Sequence, residues 1–233
     1  MAPPVEGASN AQPNRETTAR YIVPFVVFLA FLAVQNVAPL PARVDFPLRV
    51  AVLAAVLLIY SRPVIQLKPR YFLSSLALGL AVFVIWIAPD LLIPHYRASW
   101  LFQNALTGVA RGSLDPSLQH DPLVLTFRVL RAVVIVPIVE ELFWRGWLMR
   151  WLINPDFRKV PIGTYAPISF WITALMFASE HGPYWDVGLV AGILYNWWAI
   201  RTKSLADCIL AHAVTNGILC AWVILAGHWE YWL

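Results

Sequence analysis

Charge is scarce in this chain. Only 13% of its 233 residues are Asp, Glu, Lys or Arg, while 60% are hydrophobic. An ordinary soluble domain carries about 25% charged residues, so with a mean hydropathy of +0.65 a water-soluble globular fold is excluded. The seventeen Lys and Arg outnumber thirteen Asp and Glu, but they fall between apolar runs and not along a stripe. No basic face exists to follow a nucleic-acid backbone, and no nucleic-acid partner is expected. Cysteine is nearly missing too. Cys208 and Cys220 lie in one apolar run, and on a helix their directions differ by about 120°. That leaves neither a disulfide framework nor a CxxC metal pair; both read as small core residues. Neither HExxH nor HxxEH occurs, and Ser179 stands outside any nucleophile elbow. The discontinuous helix pairs and pseudo-repeats common in transporters are also missing, which disfavours a proton-relay transporter.

What is present is a series of apolar runs over 21–37, 46–60, 71–93, 122–153, 166–180, 184–200 and 205–226. They predict an all-α, polytopic membrane helical bundle of about seven transmembrane helices. Residues 21–233 read as one transmembrane domain with a catalytic core over about 122–226. The polar, Pro-containing residues 1–20 read as a disordered cytoplasmic lead-in, with no cleavable signal ahead of the first anchor. The long interruption 95–121 contains WLFQNAL, a candidate short interfacial helix. The run 122–153, about 48 Å long if fully helical, must tilt, kink at Pro137 or project beyond the bilayer. Lys and Arg in the breaks around 62–70, 150–159 and 201–203 fall on one side, and Arg43, Arg97 and Arg111 on the other. This bias places the N-terminus in the cytoplasm and the C-terminus outside.

Ionisable residues inside such runs cost several kcal/mol unless partnered, so they are read as functional. In VPIVEELFWRGWLM (136–149), Glu141 and Arg145 are i,i+4 and can pair on one helix face. Glu140 points about 100° away, with no partner in its own helix, which makes it the candidate general base. Phe177 and His181 are i,i+4 in MFASEHG, with Glu180 beside the histidine; His212 and Asn216 are i,i+4 in ILAHAVTNGI. This set can perform hydrolysis. Glu140 and His181 would hold and deprotonate a water, and His212 with Asn216 would donate hydrogen bonds to the oxyanion on an attacked carbonyl. A glutamate and two histidines also match zinc ligands by type, but the inverted zinc motif would need histidine where Phe177 stands. No metal and no cofactor are expected.

EELFWR, FASEH and HAVTN, in that order and each on an apolar helix, resemble the EExxxR, FxxxH and HxxxN motifs of the CAAX protease and bacteriocin-processing family. That family of intramembrane proteases includes the type II CAAX prenyl endopeptidase. The resemblance covers about 133–226, including VAGILYNWWAIRTKSLADCILAHAVTN. It implies a glutamate-dependent, metal-free endopeptidase on a helical bundle, with Glu140 and His181 activating water. It further implies His212 and Asn216 as the oxyanion hole, and Glu141 and Arg145 as supporting residues. VPIVEELFWRGWLMRWL and DFRKVPIG resemble more specifically a bacterial subgroup related to CAAX prenyl proteases and associated with exosortase and PEP-CTERM sorting. The implied setting is a bacterial inner membrane, and the implied partners are the lipid bilayer and a peptide or protein substrate in or at it. Two alternatives stay open: a non-catalytic scaffold or chaperone in a protein-sorting system, and a zinc-dependent version of the same protease. One geometric tension also remains. His181 falls near the outer end of its run while Glu140 lies in the inner half of its own, so either that helix is tilted or the HGPYWD turn dips into the bundle.

Overall fold

The computed structural model describes residues 15–35, 37–110, 112 and 114–232. Among them are seven main helices and no strand: α1 (Arg15–Val34), α2 (Ala42–Ser61), α3 (Phe72–Leu92), α4 (Pro122–Trp151), α5 (Pro167–Ser179), α6 (Trp185–Thr202) and α7 (Leu205–Ala226). Five of the seven, α1, α2, α3, α4 and α7, are long and apolar enough to cross a membrane. The chain is a multi-pass helical membrane protein. Helix α5 is apolar but has only 13 residues, and α6 carries Asp186, Asn196 and Arg201 along its 18. These two pack against each other and against the longer helices.

Local chemistry sets the boundaries. Asp121 caps α4 by accepting from the Leu123 and Val124 amides, with Pro122 at the first helical position, where its missing N–H costs nothing. Ser204 caps α7 and Gly227, at φ +76°, ends it. Helix α1 starts at Arg15, so Arg15–Arg20, expected within a disordered lead-in, form its first turns. Residues 1–14, where the rest of that expectation falls, lie outside the described residues, as does Arg111. The interfacial helix expected at WLFQNAL is not formed. The Asn104 side chain accepts from the Leu106 and Thr107 amides, a local turn that competes with helical bonding. The loop is tied down instead by Arg97, whose guanidinium donates to Asp90 (2.9 Å), Asp186 (2.8 Å) and the Pro183 carbonyl (2.5 Å). Burial works against its charge, yet the bonds to Asp186 and Asp90 hold it above the usual arginine range.

Helix α4 is not uniform. It widens to π-helical turns over Arg131–Ile135 and Leu142–Leu148, with an α segment, Val136–Glu141, between them. Pro137 has no amide to donate, and the wide turn just before it absorbs the fault, so the helix continues without a break. The two acidic residues sit at the seam between the α segment and the second wide turn.

Helix α7 forms the spine. It packs on α3, α4 and α6, and its Asp207 accepts from the Arg70 and Tyr71 amides and the Ser75 hydroxyl, fixing the start of α3 to the start of α7. At Gly79 the two helices approach so closely that a Cβ would lie 2.5 Å from the Ala211 carbonyl oxygen and 2.7 Å from Val214. Glycine is needed there for space. One apolar cluster gathers around Leu53, Val82, Val139, Leu142, Phe177 and Tyr195. The other gathers around Phe46, Val124, Tyr184, Val223, Tyr231 and Trp232.

Candidate active site

The glutamate pair on α4 is fully inside the bundle, Glu140 at 6% exposure and Glu141 at 0%. Glu141 Oε1 is 3.0 Å from Arg145 Nη1 and 3.0 Å from His212 Nδ1. The guanidinium is satisfied from several helices at once. Arg145 Nε donates to Asn196 Oδ1 (2.9 Å) and Nη2 to the Gly192 carbonyl (3.2 Å), both on α6. Its plane lies over the Phe177 ring at 4.6 Å. Asn196 in turn donates to the Phe170 carbonyl of α5. A buried charge is tolerated when paired and hydrogen-bonded on all sides, and Arg145 meets that requirement.

His212 joins this network to open space. Its ring stacks on Tyr195 at 5.2 Å and meets the edge of Phe177 at 6.1 Å. A carboxylate beside Nδ1 assigns the N–H to that nitrogen, so Nε2 is left facing Glu140. Nε2 and Glu140 Oε2 are 4.0 Å apart, too far for a direct hydrogen bond, and Glu140 Oε2 is buried without any hydrogen-bond partner. A gap of this size between two polar atoms is where a bridging water belongs.

His181 follows the last turn of α5, and its Nδ1 lies 2.8 Å from the Phe177 carbonyl. Donation there leaves Nε2 as an acceptor. Its ring meets the edge of Trp86 from α3 at 5.2 Å. Asn216 donates one amide hydrogen to the Ala132 carbonyl at 2.9 Å, at the first wide turn of α4, and keeps a second hydrogen available. Glu140, Phe177, His181, His212 and Asn216 line one cavity of about 230 Å³. The HGPYWD turn reaches this cavity through both His181 and Tyr184, which answers the tension over the depth of His181. Glu141 and Arg145 do not line it; they stand behind. Among the described residues no group of three or more His, Cys, Asp and Glu side chains is arranged to hold a metal ion.

Several participants went unassigned in the sequence reading. Asn196 and Tyr195 sat in the quoted stretch VAGILYNWWAI, and an asparagine inside an apolar helix was the available signal. Thr215, which receives the Tyr195 hydroxyl at 2.8 Å, offered a weaker one. Arg128, Arg131, Tyr231 and Trp232, which belong to none of the three motifs, also line the cavity. Tyr231 and Trp232 fold back into the bundle, with Tyr231 donating to Asp90 and Trp232 accepting from Arg128.

Residues 122–218 match the family model described as type II CAAX prenyl endopeptidase, Rce1-like. The matched stretch runs from the first turn of α4 into α7 and includes all three motifs. No curated protein matches the chain, and no solved structure does.

Proposed function

We propose that this chain, with its Rce1-like segment at 122–218, is an intramembrane endopeptidase that hydrolyses a peptide bond with water activated by Glu140 and without a metal. One observation carries the reading: a buried Glu140 oxygen with no protein partner faces His212 Nε2 across 4.0 Å, in a cavity also lined by His181 and Asn216. A water in that gap loses a proton to the Glu140 carboxylate, with His181 Nε2 as a second acceptor that orients it. The new oxygen–carbon bond makes a tetrahedral oxyanion, which the free Asn216 amide hydrogen stabilises. His212 contributes an Nε2–H when it carries two protons, its Nδ1–H being committed to Glu141. The carbon–nitrogen bond then breaks as Glu140 returns its proton to the departing amine. Glu141, Arg145 and Asn196 position His212 and touch no reacting atom.

The same reading takes residues 21–233 as one transmembrane domain with its catalytic core at about 122–226. The distribution of cations supports a cytoplasmic N-terminus and an external C-terminus. The subgroup resemblance supports a bacterial inner membrane and a substrate peptide lying in or at it. The test uses the full chain in proteoliposomes, a panel of internally quenched apolar peptides, a chelator, and water enriched in ¹⁸O. Cleavage that resists the chelator and puts one ¹⁸O into the new carboxyl group is expected. Cleavage abolished by the chelator and restored by zinc would contradict the reading, as would a folded protein that cuts no peptide but holds a partner helix.

A further inference from the structure

We infer that Tyr195 is a positioning residue for His212, its ring fixing the plane of the imidazole so that Nε2 aims into the gap toward Glu140. The inference rests on the peptidase reading and adds to it a residue outside the three motifs. His212 is held by one hydrogen bond, from Nδ1 to Glu141 Oε1 at 3.0 Å. A bond at one atom leaves a ring free to pivot, and the last torsion of a histidine side chain is broad and roughly two-fold. The face of Tyr195 removes that freedom. The two ring centroids lie 5.2 Å apart with their planes inclined by 22°, an offset stack in the favourable range for paired rings. Phe177 meets the same imidazole edge-on at 6.1 Å and 74°. With the plane set from both directions, Nε2 stands 4.0 Å from Glu140 Oε2.

The tyrosine is itself held at both ends, which apolar packing alone does not require. Its hydroxyl donates to Thr215 Oγ1 at 2.8 Å, and Thr215 lies on α7 one turn after His212. Thr215 Oγ1 in turn stands 2.9 Å from the Gly79 carbonyl of α3 and 3.1 Å from the Ala211 carbonyl. It accepts from the tyrosine and donates to a carbonyl, as one hydroxyl can. One turn before His212, the Cys208 thiol is 3.8 Å from the Tyr195 carbonyl. Tyr195 is thus docked on the helix that carries His212, on either side of it. At 1% exposure its hydroxyl has to be bonded, and the bond it makes pins the far edge of the ring that His212 stacks on. A phenylalanine would supply the same face without the tether. Tyr195 and Thr215 both line the cavity that holds Glu140, so a tilt of this ring passes directly to Nε2, where a misplacement of about 1 Å costs about 10²-fold in rate.

The test uses the full-length chain in proteoliposomes with an internally quenched apolar peptide from the panel above, and scores kcat and KM per folded molecule. Tyr195→Leu removes the face and should lower kcat about 10²-fold with KM near native. Tyr195→Phe keeps the face and loses the tether, and kcat should fall about two- to tenfold, the range of one neutral hydrogen bond. Thr215→Val removes the same bond from the other side and should match it, and the double variant should be no slower than either single one. The ring itself is read by NMR of the ¹⁵N-histidine-labelled chain at a pH where the ring is neutral, with the His212 signals assigned by their loss in His212→Gln. Native protein should show one tautomer, protonated at Nδ1, and Tyr195→Leu an exchange between two. A lower unfolding midpoint with native kcat per folded molecule and native His212 signals would reduce Tyr195 to packing and overturn the inference. So would a rise in KM at constant kcat, which would make Tyr195 a substrate contact, or losses that multiply in the double variant. If Tyr195→Leu does not fold, Tyr195→Phe and Thr215→Val, which leave the side-chain shapes nearly unchanged, decide by the same readings. His212 signals that respond as expected in a protein that cuts no peptide would sink the peptidase reading and leave Tyr195 standing as the support of His212.

Discussion

Glu140 and Glu141 are adjacent on one helix and both buried, yet they face different surroundings. Behind the cavity, one Glu141 oxygen is shared by Arg145 and His212, and Arg145 is answered again by Asn196 and Gly192. On the cavity side, Glu140 Oε2 has no protein partner, and His212 Nε2 stops 4.0 Å short of it. Each glutamate keeps one buried oxygen, Oε2, without a partner; what separates them is that Glu141 holds Arg145 and His212 through Oε1 whereas Glu140 lines the cavity. In hydrocarbon a carboxylate is too costly to be kept for stability alone, and of the two only Glu140 lines the cavity, which supports the proposed division of roles.

The comparison can be broken first from behind. Glu141→Ala leaves Arg145 buried beside no carboxylate and should cost about 3–5 kcal/mol of stability, seen as a large fall in the detergent unfolding midpoint. An unchanged midpoint would mean that Arg145 is not held as described. Asn216→Ala, on the cavity side, should lower the rate constant of cleavage about 10²–10³-fold, the range for loss of one oxyanion donor. Substrate binding and unfolding should stay near native, and a change confined to binding would remove Asn216 from the oxyanion role. Gly79→Ala lies outside both regions and presses on the α3–α7 contact that carries His212. Overpacking there should cost about 1–3 kcal/mol, and rate should fall only as far as His212 shifts; a stabilised variant would refute the close approach. Ser204→Ala removes the cap of α7 for about 1 kcal/mol, measurable as a small midpoint shift with native rates.

Much of this was legible in the sequence because hydrocarbon exposes every polar residue as an exception. Glu140, Glu141, Arg145, His181, His212 and Asn216 stood out on apolar helices, and a 100° helical step already separated the two glutamates. Other features depend on tertiary contacts that carry no local pattern. The wide turns of α4 arise where Pro137 must be absorbed. The Nδ1 contact of His212 with Glu141 needs α4 and α7 side by side. Asn196 carried the same signal as Asn216, but its partner, Arg145, lies 51 residues away in sequence. The Asn104 turn stands where a short interfacial helix was a candidate, its side chain accepting from the Leu106 and Thr107 amides. That Arg131 lines the cavity beside the Phe46 ring follows only from the packing of α2 against α4.

The central claim is that Glu140 carries the chemistry and Glu141 the architecture. The most direct test is the single-turnover cleavage rate of Glu140→Gln in proteoliposomes, compared with native protein at equal folded concentration and with a chelator present. A rate about 10²–10⁴-fold lower, with an unfolding midpoint at or above the native value, is predicted. A native rate in that variant would contradict the account.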